Sequence, residues 1–216
     1  MTFPCSWKKV LLALVVAVGV ARAAADKTVL VKKIYSGNSI KIQEGDTQQR
    51  VRYIGTDAPN RGKPFYDLCS QANKALVEKK KVTLVTDVEL VSPDDKKLYY
   101  VYEGSVFVNA ELIRTGYALA HIIPPNVRYR DLFISLQQEA RTHQRGLWAY
   151  EDHNDEPYYV GSQSLRVFHR PSCSHVRSIP FHDRIIFRTR DDALREGYTQ
   201  DWRCSPLFVK PTESAP

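Results

Sequence analysis

Arg52 and Asp57 are an oppositely charged pair whose spacing could present a phosphate clamp and a metal ligand together. They lie in Val51–Asn60, V-R-Y-I-G-T-D-A-P-N, which reads as a strand ending in a tight turn. Side chains alternate along a strand, so Val51, Tyr53 and Gly55 face one way and Arg52, Ile54 and Thr56 the other. Asp57-Ala58-Pro59 stops the strand, because proline cannot donate to a ladder and restricts the residue before it. A guanidinium and a carboxylate are thus delivered near the end of one rigid element. That arrangement suits a phosphate clamp beside a metal ligand, and it equally suits two ordinary charges at a strand end.

The elements that would position this pair form a mainly β, α+β pattern. Lys27–Ile34, Ser39–Ile42 and Gln49–Thr56 read as three strands of a meander with tight turns. Phe65–Lys80 has Leu68, Ala72, Ala75 and Leu76 at helical spacing. Val82–Val91 and Lys97–Tyr102 read as strands, and Val108–Thr115 as a short helix stopped by Gly116. Leu132–Gln144 reads as a third helix with Leu132, Leu136 and Ala140 on one face. Five strands with helices after the third and fifth predict a Greek-key barrel of the oligonucleotide/oligosaccharide-binding (OB) type with three helices. The acidic run 151–157 reads as a linker. Residues 158–208 then form a unit too small for a large core of its own, with a helix over Asp191–Gly197 and a loose tail at 209–216.

The chain of 216 residues carries a formal charge of +7. Lys8, Lys9 and Arg22 lie in the first 25 residues, which contain no acid; without them the balance is 28 basic against 24 acidic residues, or +4. That permits a polyanionic partner without requiring one. Residues 1–25 read as a secretory signal peptide: a basic start, a Val10–Val20 apolar run too short to span a bilayer, and small-residue cleavage sites at Ala21-Arg22-Ala23 and Ala23-Ala24-Ala25. No later segment is expected to cross a membrane, so the mature chain is expected to be exported, to a periplasm or the medium if the source is bacterial. Cys5 would leave with the leader. Cys69, Cys173 and Cys204 remain, an odd number that suggests one pair plus a free thiol, or metal ligands.

Five blocks in order, K-K-I-x-S-G-N-S-I-K-I, V-R-Y-I-G-T-D-A-P, L-Y-Y-V-Y, V-N-A-E-L-I-R-T-G-Y-A and E-A-R-x-x-x-R-G-L-W, lie within Thr28–Trp148. Together they resemble the staphylococcal nuclease (thermonuclease) family. The resemblance implies an OB-fold barrel that hydrolyses DNA and RNA with one Ca²⁺. It places Asn38, in Ser36-Gly37-Asn38-Ser39, where the family has a calcium-binding aspartate. Gly45-Asp46-Thr47 looks like that motif but leaves no room for a strand and hairpin before Arg52. Arg52 matches the family's phosphate-binding arginine, and Asp57 its second calcium aspartate. Ala58 falls where a threonine offers its backbone carbonyl to the ion. Asn60 falls where a glutamate is the proposed general base, and Lys96 where a second arginine binds phosphate. The two tyrosines of the family's nucleotide pocket fall near His121–Ile123 and are not kept. A neutral amide at Asn60 cannot take a proton as a carboxylate does. Asn38 removes a ligand charge on which Ca²⁺ affinity depends, and Lys96 lacks the two-pronged guanidinium grip.

Residues 159–206 resemble a second family, the small metal-binding module related to the zinc domain of Ada DNA-repair proteins. The carriers are Y-V-G-S-x-x-x-x-V-F-H-R-P-S-C, R-I-I-F-R-T-R-D-D-A-L-R-E-G-Y and D-W-R-C. Asp201 stands where that pattern has the first cysteine of C-x-x-C. The resemblance implies His169, Cys173, Asp201 and Cys204 as zinc ligands, with His175 and His182 as substitutes. A Cys173–Cys204 disulfide is the alternative, and free thiols a third. The combined expectation is an exported, thermonuclease-like module with a degraded catalytic set that binds nucleic acid, through Arg52 and basic residues such as Lys32, Lys33, Arg50 and Lys79–Lys81, or a partner protein. The alternatives are a weak Ca²⁺-dependent nuclease and an envelope-associated interaction module.

Overall fold

The computed structural model describes residues 27–153, 155–204 and 207–209. The expected signal peptide and the tail from residue 210 lie outside them. Strands β1 (Lys27–Ser36), β2 (Ser39–Glu44) and β3 (Thr47–Tyr53) form the expected antiparallel meander. After helix α1 (Tyr66–Val77), β5 (Lys81–Val85) pairs with β1, and β6 (Lys97–Glu103) pairs with β5. Parallel pairing of β3 with β6, Arg52 opposite Leu98, closes five strands into a barrel. Its interior is filled by alternate residues such as Val31, Ile40, Ile42, Val51, Tyr53 and Val101, all almost fully buried. Two asparagines satisfy backbone groups inside it. Asn73 accepts from the Tyr53 hydroxyl at 2.9 Å and donates to Ser36 O at 2.8 Å. Asn109 accepts from Val101 N–H at 2.9 Å and donates to Ile54 O at 2.8 Å.

Several boundaries differ from the sequence reading. The strand carrying Arg52 ends at Tyr53, because Gly55 turns the chain at φ +73°, where a Cβ would collide with the Phe133 ring. Thr56–Asp57 is a separate strand, β4, whose partner is β8 (Leu119–Ala120). The fourth barrel strand stops at Val85 rather than Val91. Asn126 bonds both the N–H and the carbonyl of Glu89, at 2.7 and 2.9 Å, and so supplies the pairing that a neighbouring strand would have given. A short hairpin strand, β7 (Val106–Phe107), leads into helix α2 (Val108–Arg114). Helix α3 (Arg130–Thr142) buries Phe133, Gln137 and Ala140, and leaves Leu132 42% exposed. Gln137 is tolerated inside because its carbonyl accepts the Ala120 N–H at 2.8 Å.

The C-terminal residues build a second sheet in the order β11 (Arg184–Phe187), β9 (Tyr159–Ser162), β10 (Val167–His169), β12 (Thr199–Gln200). Helix α4 (Arg190–Arg195) starts on a capping box in which Thr189 and Asp192 exchange side-chain and backbone bonds. This sheet does not carry an isolated core. Tyr159, Phe168, Phe187, Leu194 and Phe208 pack in one cluster with Leu119, Ala140, Leu147 and Trp148 from the barrel side. The acidic run read as a linker is clamped by arginines: Glu151 by Arg141, Asp152 and Glu156 by Arg170, and Asp155 by Arg190. Among the described residues no helix is long and apolar enough to cross a membrane.

Candidate nucleic-acid site at the barrel end

The turn at Gly55 and the short β4 bring Asn38, Arg52, Asp57, Ala58 and Asn60 to the rim of one cavity of about 450 Å³. Its far wall comes from the C-terminal unit, including Thr199, Asp201, Trp202 and Arg203. Gly45 and Asp46, by contrast, form the exposed β2–β3 turn and do not line this cavity. The sequence reading did not find the opposing wall. Trp202 was legible only as a spacer in D-W-R-C.

Two side chains of the expected calcium set, Asn38 and Asp57, are hydrogen-bonded within the protein. The Asn38 side-chain carbonyl accepts the Ser36 hydroxyl at 3.0 Å, and its amide donates to Thr56 O at 2.9 Å. One Asp57 oxygen accepts the Trp202 indole N–H at 2.7 Å and the Thr199 hydroxyl at 3.2 Å. Asn60 is an exposed neutral amide, and the Ala58 side chain is buried. Calcium takes roughly six to eight oxygens and is held largely by carboxylate charge. One carboxylate, with an oxygen already bonded twice, does not fit that ion.

Lys96 does not line the cavity with the others. Its ammonium is held against Asp94, which also lies 3.5 Å from the Arg52 guanidinium. Burial disfavours the Asp94 anion. The Lys96 and Ser92 hydrogen bonds and the Arg52 charge outweigh it and hold the carboxyl down at about 2. Asp94 therefore sits as an internal anion between the two cations expected to grip phosphate. His121 also lines the cavity, near the position of the missing tyrosines. One of its ring nitrogens donates to Leu165 O at 2.9 Å, and burial pushes its pKa down despite the nearby Asp57 charge.

The C-terminal candidates converge. His169 Nδ1 lies 3.7 Å from both Cys173 Sγ and Cys204 Sγ, and the three donors fall within 4.8 Å of one another. Tetrahedral zinc with Zn–S bonds near 2.3 Å sets its ligand atoms ~3.8 Å apart, so this spacing fits. Asp201 Oδ2 is 3.5 Å from His169 Nδ1, but Asp201 falls outside the converging group and both of its oxygens are bonded by Arg203. His175 Nδ1 is 3.7 Å from Cys173 Sγ, a substitute donor; His182 is outside the group. Burial lowers the His169 pKa, which keeps its ring neutral, and pushes the Cys204 thiol up to about 12. Cys173, Cys204 and Cys69 are free thiols, so the disulfide alternative is not formed here. Cys69 is buried in the joint core, and its thiol is raised by that burial and by the Asp57 charge.

A closed five-stranded barrel with a few helices, Arg52 near the end of β3 and Asp57 on the β4 that follows, fits an OB-like α+β fold. Residues 50–150 match the family described as staphylococcal nuclease homologue. The chain is 33% identical over 125 residues to a thermonuclease of Staphylococcus intermedius, covering 55% of this chain and 74% of that protein. It is 26% identical over 132 residues to a thermonuclease of Staphylococcus hyicus, covering 58% and 78%. It is 29% identical over 129 residues to endonuclease YncB of Bacillus subtilis strain 168, covering 56% and 61%. The chain belongs to the staphylococcal nuclease homologue family, and its function is accordingly nucleic-acid-related. The family match ends at residue 150, so the second sheet lies beyond it.

Proposed function

We propose that this chain is an exported nucleic-acid-binding member of its family whose hydrolytic set has been disabled. The observation that carries this reading is Asp57, one of whose carboxylate oxygens is bonded to both Thr199 and Trp202. The neutral Asn38 and Asn60 support it. Phosphodiester hydrolysis needs an activated water and cations on the developing charge, and single such groups are worth roughly 10²–10³ in rate. Arg52 retains a cation at the cavity, and the family relationship supplies the ligand class. The test is incubation of the full chain with single-stranded DNA and Ca²⁺, beside Arg52→Ala. Expected are binding that weakens steeply with salt and no cleavage. Calcium-dependent cleavage that disappears in Arg52→Ala would establish the weak nuclease instead, and absence of binding would favour a protein partner.

The same reading gives the C-terminal unit a structural zinc held by His169, Cys173 and Cys204, the three donors that converge. Zinc there would deprotonate the thiols and add its binding energy to folding. Elemental analysis of the purified protein is expected to give one zinc per chain, lost in Cys204→Ser. Export is tested by N-terminal sequencing of the secreted chain, expected to begin within a few residues of Ala23.

A further inference from the structure

Trp202 is the aromatic group of the cavity wall that the family-matched barrel does not supply. Its indole is aligned twice over. The N–H donates to Asp57 at 2.7 Å, and the ring is stacked on Phe208 with centroids 6.0 Å apart and planes 24° apart. Phe208 is itself buried. Trp202 remains half-buried, and so keeps part of its surface in the cavity. Arg52 opens on the same cavity from the barrel side, while Leu98 and Ile123 add apolar lining.

From this arrangement we propose that Trp202 is a base-stacking platform, and that the ligand of the cavity is an unpaired nucleotide of single-stranded nucleic acid, its base on Trp202 and its phosphate toward Arg52. The inference rests on the nucleic-acid-binding function proposed above and specifies its ligand. A rigid ring already desolvated on one side loses little entropy on stacking, and any base offers it a π-face. A volume near 450 Å³ lies within the ~300–1,000 Å³ of pockets that enclose small ligands. The bases of a duplex are stacked on one another and do not turn onto such a ring unless they are flipped out. Asp57 then has a positioning role: it holds the platform, in place of an ion.

The test is a titration of the full chain with a short fluorescein-labelled thymidine oligonucleotide, followed by anisotropy, and with the unlabelled oligonucleotide followed by tryptophan emission. The chain has three tryptophans, of which Trp148 is buried. Quenching that saturates with the anisotropy change and is absent in Trp202→Phe is expected. Trp202→Leu is expected to weaken binding by about 5- to 150-fold, the range for loss of one base stack. Trp202→Phe, which keeps a ring against Phe208, should stay closer to the parent. A duplex of the same sequence is expected to bind more weakly. Binding of the single strand without quenching, or unchanged affinity in folded Trp202→Leu, would overturn the platform while leaving nucleic-acid binding intact. If the parent chain binds no oligonucleotide, the functional reading and the platform fall together.

Discussion

At Asp57, one carboxylate oxygen serves both the Trp202 indole and the Thr199 hydroxyl. Hydrogen bonds to charged groups contribute roughly 1.5–3 kcal/mol, and an orphaned partly buried donor adds a penalty. Asp57→Ala should therefore lower the unfolding free energy by ~2–3 kcal/mol in urea, whereas Asp57→Asn keeps an acceptor and should cost less. Asp94 gives a pH-dependent counterpart. Its carboxyl is held at about 2, below the ordinary 3.8, so its stabilisation is fully present above the ordinary value and is lost as pH falls toward the lower one. The difference in stability between the parent and Asp94→Asn should be flat above pH ~4 and shrink toward pH ~2. Because the Asp94 side chain is 48% exposed, the difference should be small and should shrink further in salt. Arg52 and Asp57 were readable as a pair from spacing alone. Their present partners were not, because Asp94 and Trp202 lie 42 and 145 positions away along the chain and nothing in their local sequence marks the contact.

Among the elements, the end of β3 shows how a single turn sets the site. Gly55 holds φ +73° with the Phe133 ring against it, so Gly55→Ala meets both a disfavoured backbone and a steric conflict. A loss of more than ~1 kcal/mol is expected in chemical denaturation, together with weaker oligonucleotide binding, because the turn carries Asp57 to the cavity. Periodicity located α3 but chose the stripe through Leu132. The buried face runs through Phe133 and Gln137 instead, since a glutamine that completes a backbone bond of β8 is as acceptable inside as a leucine. The strand over 82–91 ended early for a similar reason. Asn126, distant in sequence, supplied the hydrogen bonds that strand propensity expected from a neighbour.

In the molecule as a whole, the barrel and the second sheet share a core and are joined by ion pairs from the acidic run. Arg141 links α3 to both Glu151 and the start of α4 at Asp191, each at 2.6 Å. Two units that bury one another's apolar surface should unfold together. Calorimetry is expected to show a single transition, and a chelator that removes the proposed zinc should lower its midpoint as one step instead of releasing a separate small domain. Two resolved transitions would contradict the shared core.

Local pattern was enough for the meander, the three barrel helices and the family blocks, because alternation, turn residues and ordered motifs are written within a few positions of one another. It also gathered His169, Cys173 and Cys204 as candidates through a spaced motif. What those residues now face was decided by tertiary structure. The β3–β6 closure sets Arg52 beside Asp94, and docking of the second sheet sets Trp202 and Thr199 on Asp57. Hydrogen bonds of this kind are made between groups that only the folded chain brings within 3 Å or so of each other, and that is why Asp57 could be singled out in the sequence but its role as a docking point could not.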